Sequence, residues 1–372
     1  MFDDPLTTYG GWSVRPDTDG PWLSVTPLDE IEPPDYDPRR PPLPDTMQRV
    51  LFAPVEPDPA EIAAWGTDPI PEAATFALID ASTTPRLIDR LEASGLEHRC
   101  LFSGKALREL GHAAPWLVRL EPDNAFVFAL LSRGGRGAGL WDNKPGIFIR
   151  ARVPMDALYS HFRHFTRLKD ETDQWFFNRF WGPSVSTTLL SLGNDAALAP
   201  FVSPLFPSGR DALRVIAFCP HGHRLLARIP GTHPPHRRPI LTGPVKGWMR
   251  HIRRVQQFDE LIAIALRHVG GRTALTPEAA IAHLRSCRED FFDIGFWRRD
   301  HLVSLCVWEL MLGPNVIHGY ANGQIRHIIE TSESDWQAID RIHDFLDPPP
   351  PEPTEAEARA MQLADHMKEK LG

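Results

Sequence analysis

Cysteine is scarce in this chain and poorly placed for the chemistry it usually does. Cys100, Cys219, Cys287 and Cys306 share no short spacing, so they fit neither a CxxC metal knuckle nor a disulfide framework, and they suit a reducing compartment. Nowhere do about 18 apolar residues run uninterrupted, which excludes an ordinary membrane-spanning helix. The N-terminus, Met1-Phe-Asp-Asp-Pro, is acidic and lacks the apolar stretch of a secretory signal. Together these absences predict a cytoplasmic protein. The motifs of common catalysts are missing as well: there is no Gly-x-Ser-x-Gly, no Gly-Lys-Ser/Thr, and no cysteine in a recognisable catalytic context. The expectation is a protein that is not an enzyme, with no catalytic residues, metal or cofactor; a hydrolase of unrecognised class is an alternative.

Proline, by contrast, is abundant, at 37 of 372 residues, about twice ordinary usage. Charge is unevenly spread. Residues 1–75 hold 15 acidic against 4 basic side chains, whereas no carboxylate occurs between Asp211 and Asp259. That acid-free stretch carries Arg214, Arg224, Arg228, Arg237, Arg238, Lys246, Arg250, Arg253 and Arg254. A basic run of this kind attracts nucleic acid or an acidic protein. The chain's net charge of −8 and the many prolines of the stretch favour protein, either a partner or the chain's own acidic segment. Nucleic-acid binding through 212–258 is the other alternative.

Periodicity divides the chain. Residues 1–74 read as an acidic, Pro-rich extended arm, because proline lacks the amide donor that helix interiors need. From 75 to 212, apolar runs at 75–80, 98–102, 116–120, 146–151 and 174–180 alternate with helical patterns. This alternation predicts an α/β (α+β) lobe with a mixed β-sheet flanked by helices. Thr84-Pro85 is the expected start of one of those helices. Residues 213–252 read as a basic hairpin and Pro-rich connector. Residues 253–347 carry 3.6-residue periodicity throughout and predict an all-helical lobe, with Thr276-Pro277 capping one helix and the apolar run 300–312 at its buried centre. A Pro-rich tether and charged tail helix fill 348–372.

Several clusters invite chemical readings. The run Gly134-Gly-Arg-Gly-Ala-Gly139 follows a helix and precedes a strand, the reverse of a phosphate-binding loop, and reads as a connector. His161 and His164 lie on an amphipathic helix with no third ligand at a telling distance. Cys219, His221, His223, His233 and His236 match zinc-ligand spacing poorly. Asp80 ends a strand, where catalytic carboxylates often sit, yet nothing pairs with it in sequence.

Five blocks in order carry a family resemblance. They are Phe76-Ala-Leu-Ile-Asp-Ala, Leu96-Glu-His-Arg-Cys-Leu-Phe-Ser-Gly, Ala114-Pro-Trp-Leu-Val-Arg-Leu-Glu-Pro, Gly146-Ile-Phe-Ile-Arg with Leu158-Tyr-Ser-His-Phe-Arg-His-Phe, and Arg179-Phe-Trp-Gly-Pro. Over 75–206 the chain resembles the domain-of-unknown-function family 4123, whose members act as adaptor chaperones for type VI secretion effectors. The last block departs from the family: Asn178, Trp181, Gly182 and Ser184 stand where Phe, Tyr, Asp and Arg are usual. The resemblance implies that the protein binds the N-terminal region of an effector in the cytoplasm and helps load it onto the spike protein, with no membrane partner. Trp116, Arg179, Phe180 and Trp181, with Arg237 and Arg238, are the expected partner-binding residues, and the seam between the two lobes is the expected place.

Overall fold

An apolar run without polar alternation is the mark of a strand covered on both faces, and 74–80 is such a run. In the computed structural model, which describes residues 21–29, 31–39, 42–134, 138–219, 222–232, 239–295 and 298–347, it is an interior strand of a seven-stranded sheet. Along the chain the strands are β1 (Leu23–Leu28), β2 (Ala74–Asp80), β3 (His98–Cys100), β4 (Pro115–Leu120), β5 (Gly146–Ala151), β6 (Arg167–Lys169), β7 (Trp175–Phe177), β8 (Leu213–Ala217) and β9 (His223–Arg228). The sheet order is β1-β9-β8-β5-β2-β4-β3, and β6 with β7 forms a separate two-stranded ribbon.

The fold is mixed α/β, with the large sheet in the N-terminal half and helices after it. The expected mixed sheet needs correcting, because every ladder in it is antiparallel. β2 and β3 run in one direction with β4 between them, and β4 and β5 share a direction with β2 between them. Each helical crossover therefore leaves room for one inserted strand. The strand–helix alternation that suggests parallel neighbours arises here without them.

Helices α1 (Asp45–Phe52), α2 (Pro59–Trp65), α3 (Leu87–Ser94), α4 (Gly104–Leu110), α5 (Ala125–Leu130), α6 (Met155–Arg163), α7 (Pro183–Thr188) and α8 (Ala199–Val202) complete this part. Successive strand residues point to opposite faces. Phe76 and Leu78 thus join one core layer with Leu158 and Phe162 of α6 and Phe201 of α8. Ala77 and Ile79 join the other, with Met47 and Leu51 of α1, Leu91 of α3 and Phe126 of α5. The start of α3 differs from expectation: Arg86, in the left-handed region at φ 55°, precedes it, and no side chain caps it.

The extended-arm reading of 1–74 also needs correcting over its described residues. β1 pairs antiparallel with β9, Leu23 opposite Arg228 through Leu28 opposite His223. Trp22 donates its indole N–H to the Gly193 carbonyl at 3.0 Å. Met47 and Leu51 are fully buried, each contributing roughly 1.5–3 kcal/mol. Asp58 caps α2 reciprocally with Glu61. Two arginines of and after β5 hold this segment down. Arg150 donates to the carbonyls of Val50, Ala53 and Ala73, and Arg152 to those of Val55 and Pro71 and to the Glu61 carboxylate at 3.1 Å. The proline-rich sequence is thus a covering layer whose carbonyls, freed from helix hydrogen bonds, are satisfied by guanidinium groups.

The chain divides into two compact units, 1–252 and 253–372. The boundary lies within α9 (Gly243–Val269), of which Val245 and Ile252 belong to a core layer of the first unit. In the second unit, Phe258, Leu261 and Ile262 of α9 pack with α10 (Pro277–Asp293), α11 (Arg299–Leu312), α12 (Val316–Gly319), α13 (Gln324–Glu330) and α14 (Asp335–Leu346). Thr276 caps α10 by accepting from the Ala279 N–H at 3.3 Å. α11 buries Leu302, Leu305, Cys306, Trp308 and Leu310, as its all-round apolarity predicts. Among the described residues no single helix is long and apolar enough to cross a membrane. The tether and tail at 348–372 lie outside the described residues.

Candidate functional site

The expected recognition residues divide sharply by burial. Phe180 and Trp181 are core residues, 0 % and 1 % exposed, so the reading of both as partner-binding residues is corrected. Phe180 stacks on Phe162 at 5.8 Å. Trp181 donates its indole N–H to Asp80 Oδ2 at 2.8 Å, and Arg179 donates to the same oxygen. Asp80 Oδ1 accepts from the backbone N–H and hydroxyl of Ser82 at 2.9 and 2.7 Å. A buried carboxylate needs donors, and the last motif block supplies them to the first. This network is what fastens Phe180 and Trp181 inward. Arg179 keeps a half-exposed side chain but is committed to Asp80 and to the Ser82 hydroxyl at 2.8 Å. Trp116 is half-buried and donates to the Gly111 carbonyl at 3.3 Å. Arg237 and Arg238 lie outside the described residues.

Exposed aromatic surface occurs a few residues earlier. β6 and β7 pair in the register Arg167–Phe177, Leu168–Phe176 and Lys169–Trp175. Leu168 is buried in the core and anchors the ribbon. By strand alternation the flanking pairs belong to the opposite face, and there Trp175 and Phe177 are 57 % and 58 % exposed. The Arg167 guanidinium lies 5.1 Å from the Trp175 ring and 5.6 Å from that of Phe177, and the Lys169 ammonium lies 5.4 Å from Trp175. Phe102 meets Phe177 at 5.7 Å, and α4, just after Phe102, leaves Leu107 and Leu110 exposed. The turn of the ribbon is tied by hydrogen bonds. Asp170 accepts at Oδ1 from the Thr172 hydroxyl and N–H and from the Gln174 N–H, and at Oδ2 from Lys246 at 3.0 Å. The Thr172 hydroxyl, then Lys246, hold its carboxyl well below the usual carboxylate range. The arrangement presents apolar rings and cations together on a fixed frame.

Three consecutive aromatics at 175–177 are visible in the sequence. Their exposure follows from pairing with a three-residue strand, too short to bury rings on both of its faces, and that brevity is not read from composition.

Of the other sequence candidates, His164 is exposed at the end of α6, while His161 and Cys219 have structural partners. His161 is held by the Leu205 carbonyl at 3.2 Å and packs on Phe162 and Phe165, and burial lowers its pKa. Cys219 donates its N–H to His223 Nδ1 at 3.2 Å; His221, His233 and His236 are outside the described residues. A cavity of about 570 Å³ is lined by Arg150, Arg152, Arg214 and Arg228 with Asp58 and Glu61. Burial, then Arg214 and Arg152, lower the Arg150 guanidinium to about 10.

With these features in place, comparison with known proteins gives one match. Residues 75–199, about a third of the chain, match the family model described as a domain of unknown function, DUF4123. That bears out the resemblance read from the motif blocks over this span. No curated protein and no solved structure matches the chain.

Proposed function

We propose that this protein is a cytoplasmic adaptor that binds a type VI secretion effector through the β6–β7 ribbon and helps bring it to the spike protein. It acts by binding rather than by catalysis. The observation that carries the reading is the outward pair Trp175 and Phe177 with Arg167 and Lys169 beside them. Exposed aromatic rings on a rigid frame mark interaction surfaces, and flanking cations select a partner segment that alternates apolar and acidic side chains.

Three arginines of the acid-free stretch favour a protein partner over nucleic acid. Arg214, Arg224 and Arg228 donate to the carbonyls of Glu56, His223 and Thr232, so part of the stretch's cationic surface is engaged within the fold. Asp80, the one carboxylate placed like a catalytic residue, is likewise occupied by Ser82, Arg179 and Trp181.

The test is co-expression with a toxin-like protein encoded by an adjacent reading frame, where the neighbourhood holds one, followed by affinity measurement on the purified pair. Replacing both Trp175 and Phe177 with alanine removes two aromatic anchors, and a central anchor is worth about 2 kcal/mol or more, roughly a 30-fold loss of affinity. An affinity unchanged by the double substitution sinks the ribbon assignment. An effector that is soluble and secreted without this protein sinks the adaptor reading itself.

A further inference from the structure

Glu309 lies on α11 in the buried centre of the helical unit, 2 % exposed. Its ion-pair partner among the described residues is His283, Nε2 to Oε1 at 2.8 Å. Oε1 also accepts from the Asn315 N–H at 2.7 Å and from the Cys287 thiol at 3.5 Å, and Oε2 accepts from the Val316 N–H at 2.8 Å. His283 and Cys287 stand four residues apart on α10 and so share a face, with Sγ 3.8 Å from Nε2. One imidazole nitrogen, one sulfur and one carboxylate oxygen thus lie within 4.8 Å of one another.

We propose that His283, Cys287 and Glu309 bind zinc(II) or a chemically similar borderline-soft divalent cation. Zinc holds nitrogen and oxygen at about 2.0–2.2 Å and sulfur at about 2.3 Å in a tetrahedron. Those bond lengths set the ligand atoms about 3.3 Å apart for N–O and about 3.5 Å apart for S–O and S–N. The separations here are 2.8, 3.5 and 3.8 Å, so each ligand needs to move by about half an ångström or less.

Charge also fits. Binding releases the Cys287 thiol proton to solvent and shifts the His283 proton from Nε2 to Nδ1 by exchange with water, leaving a thiolate and a carboxylate that together neutralise a divalent ion, with His283 neutral. In the free site burial and the Glu309 charge push the thiol up to about 12, and the metal charge reverses that preference. The Asn315 and Val316 N–H groups hold the carboxylate from behind, as the outer contacts of metal ligands do. His283 and Cys287 are half-buried, so water reaches the cluster and fills the fourth position. The ion would tie α10 to α11 and to the start of α12.

The full-length protein, stripped with chelator, is titrated with cobalt(II) and then zinc(II). The expected result is one bound cobalt per chain, a thiolate-to-cobalt charge-transfer band, visible bands of four-coordinate intensity, and displacement by zinc with a rise in melting temperature. Cys287→Ser should abolish the charge-transfer band and weaken zinc binding by at least about tenfold. Its apo form should melt with the wild type, because a serine hydroxyl can still donate to Glu309. Cys219→Ala, beside His223, should leave the band intact. Absence of the band, its persistence in Cys287→Ser, or its loss in Cys219→Ala overturns the assignment.

Discussion

If the acidic segment is a structural layer, its docking should depend on the ion pair buried beneath it. Arg152 and Glu61 have side chains 5 % and 8 % exposed, whereas Arg210 and Asp68, which tie the same segment to the body, are about half exposed. Glu61→Gln keeps the volume and one acceptor but removes the charge opposite a buried guanidinium. Breaking a buried pair costs about 3–5 kcal/mol. Arg152 retains the Val55 and Pro71 carbonyls, which places the expected loss near the lower end, about 3 kcal/mol. For a unit of this size that corresponds to a fall of roughly 6–12 °C in melting temperature. Asp68→Asn, by comparison, should cost about 1 kcal/mol or less, since solvent already screens that pair. Thermal melts of the full chain measure both, and limited proteolysis between residues 53 and 73 reports whether the segment lifts. Equal, small effects of the two substitutions would refute the claim that this layer is clamped from the sheet.

Two further outcomes follow from the same structure. Trp181→Phe removes the indole donor to the buried Asp80 carboxylate and should cost about 2–3 kcal/mol, more than Arg179→Ala, whose half-exposed ion pair is worth about 1 kcal/mol or less; denaturant unfolding giving the opposite order would refute the view that the indole is the anchor. Burial lowers the pKa of His161, so the unfolded chain takes up that proton first, near pH 6.5. The stability tied to neutral His161 is therefore complete above that pH and declines as pH falls below it. His161→Gln should flatten the dependence between pH 7 and pH 5 by up to about 1.4 kcal/mol per pH unit, and parallel profiles would contradict the assignment.

What was legible in the sequence was whatever local pattern determines. The runs at β2 and β5, the hairpin of β8 and β9, the Thr276 cap and the apolar α11 each carry their reason within a few residues. The layer at 45–65 does not. Its helices, Asp45–Phe52 and Pro59–Trp65, are too short to be stable alone, and they form against arginines about a hundred positions away. Even so, Asp58-Pro-Ala-Glu61 is a capping-box pattern that marks a helix start inside the supposed arm.

The aromatic stretch 175–181 teaches the complementary point. Composition cannot distinguish Phe177 from Phe180, because both are apolar and adjacent to polar neighbours. Burial is decided instead by Asp80, a carboxylate at the end of an interior strand that must find donors, and Arg179 and Trp181 are the donors that reach it. Once that hydrogen-bond demand pulls Trp181 inward, Phe180 goes with it, and the ribbon before them is left to present its rings outward. The exposed ribbon in this fold is thus positioned by a buried polar group rather than by the aromatic residues themselves. Among the departures in the last block, Trp181 serves Asp80 through an indole N–H, so the change of residue there alters an anchor beneath the ribbon and leaves Trp175 and Phe177 exposed.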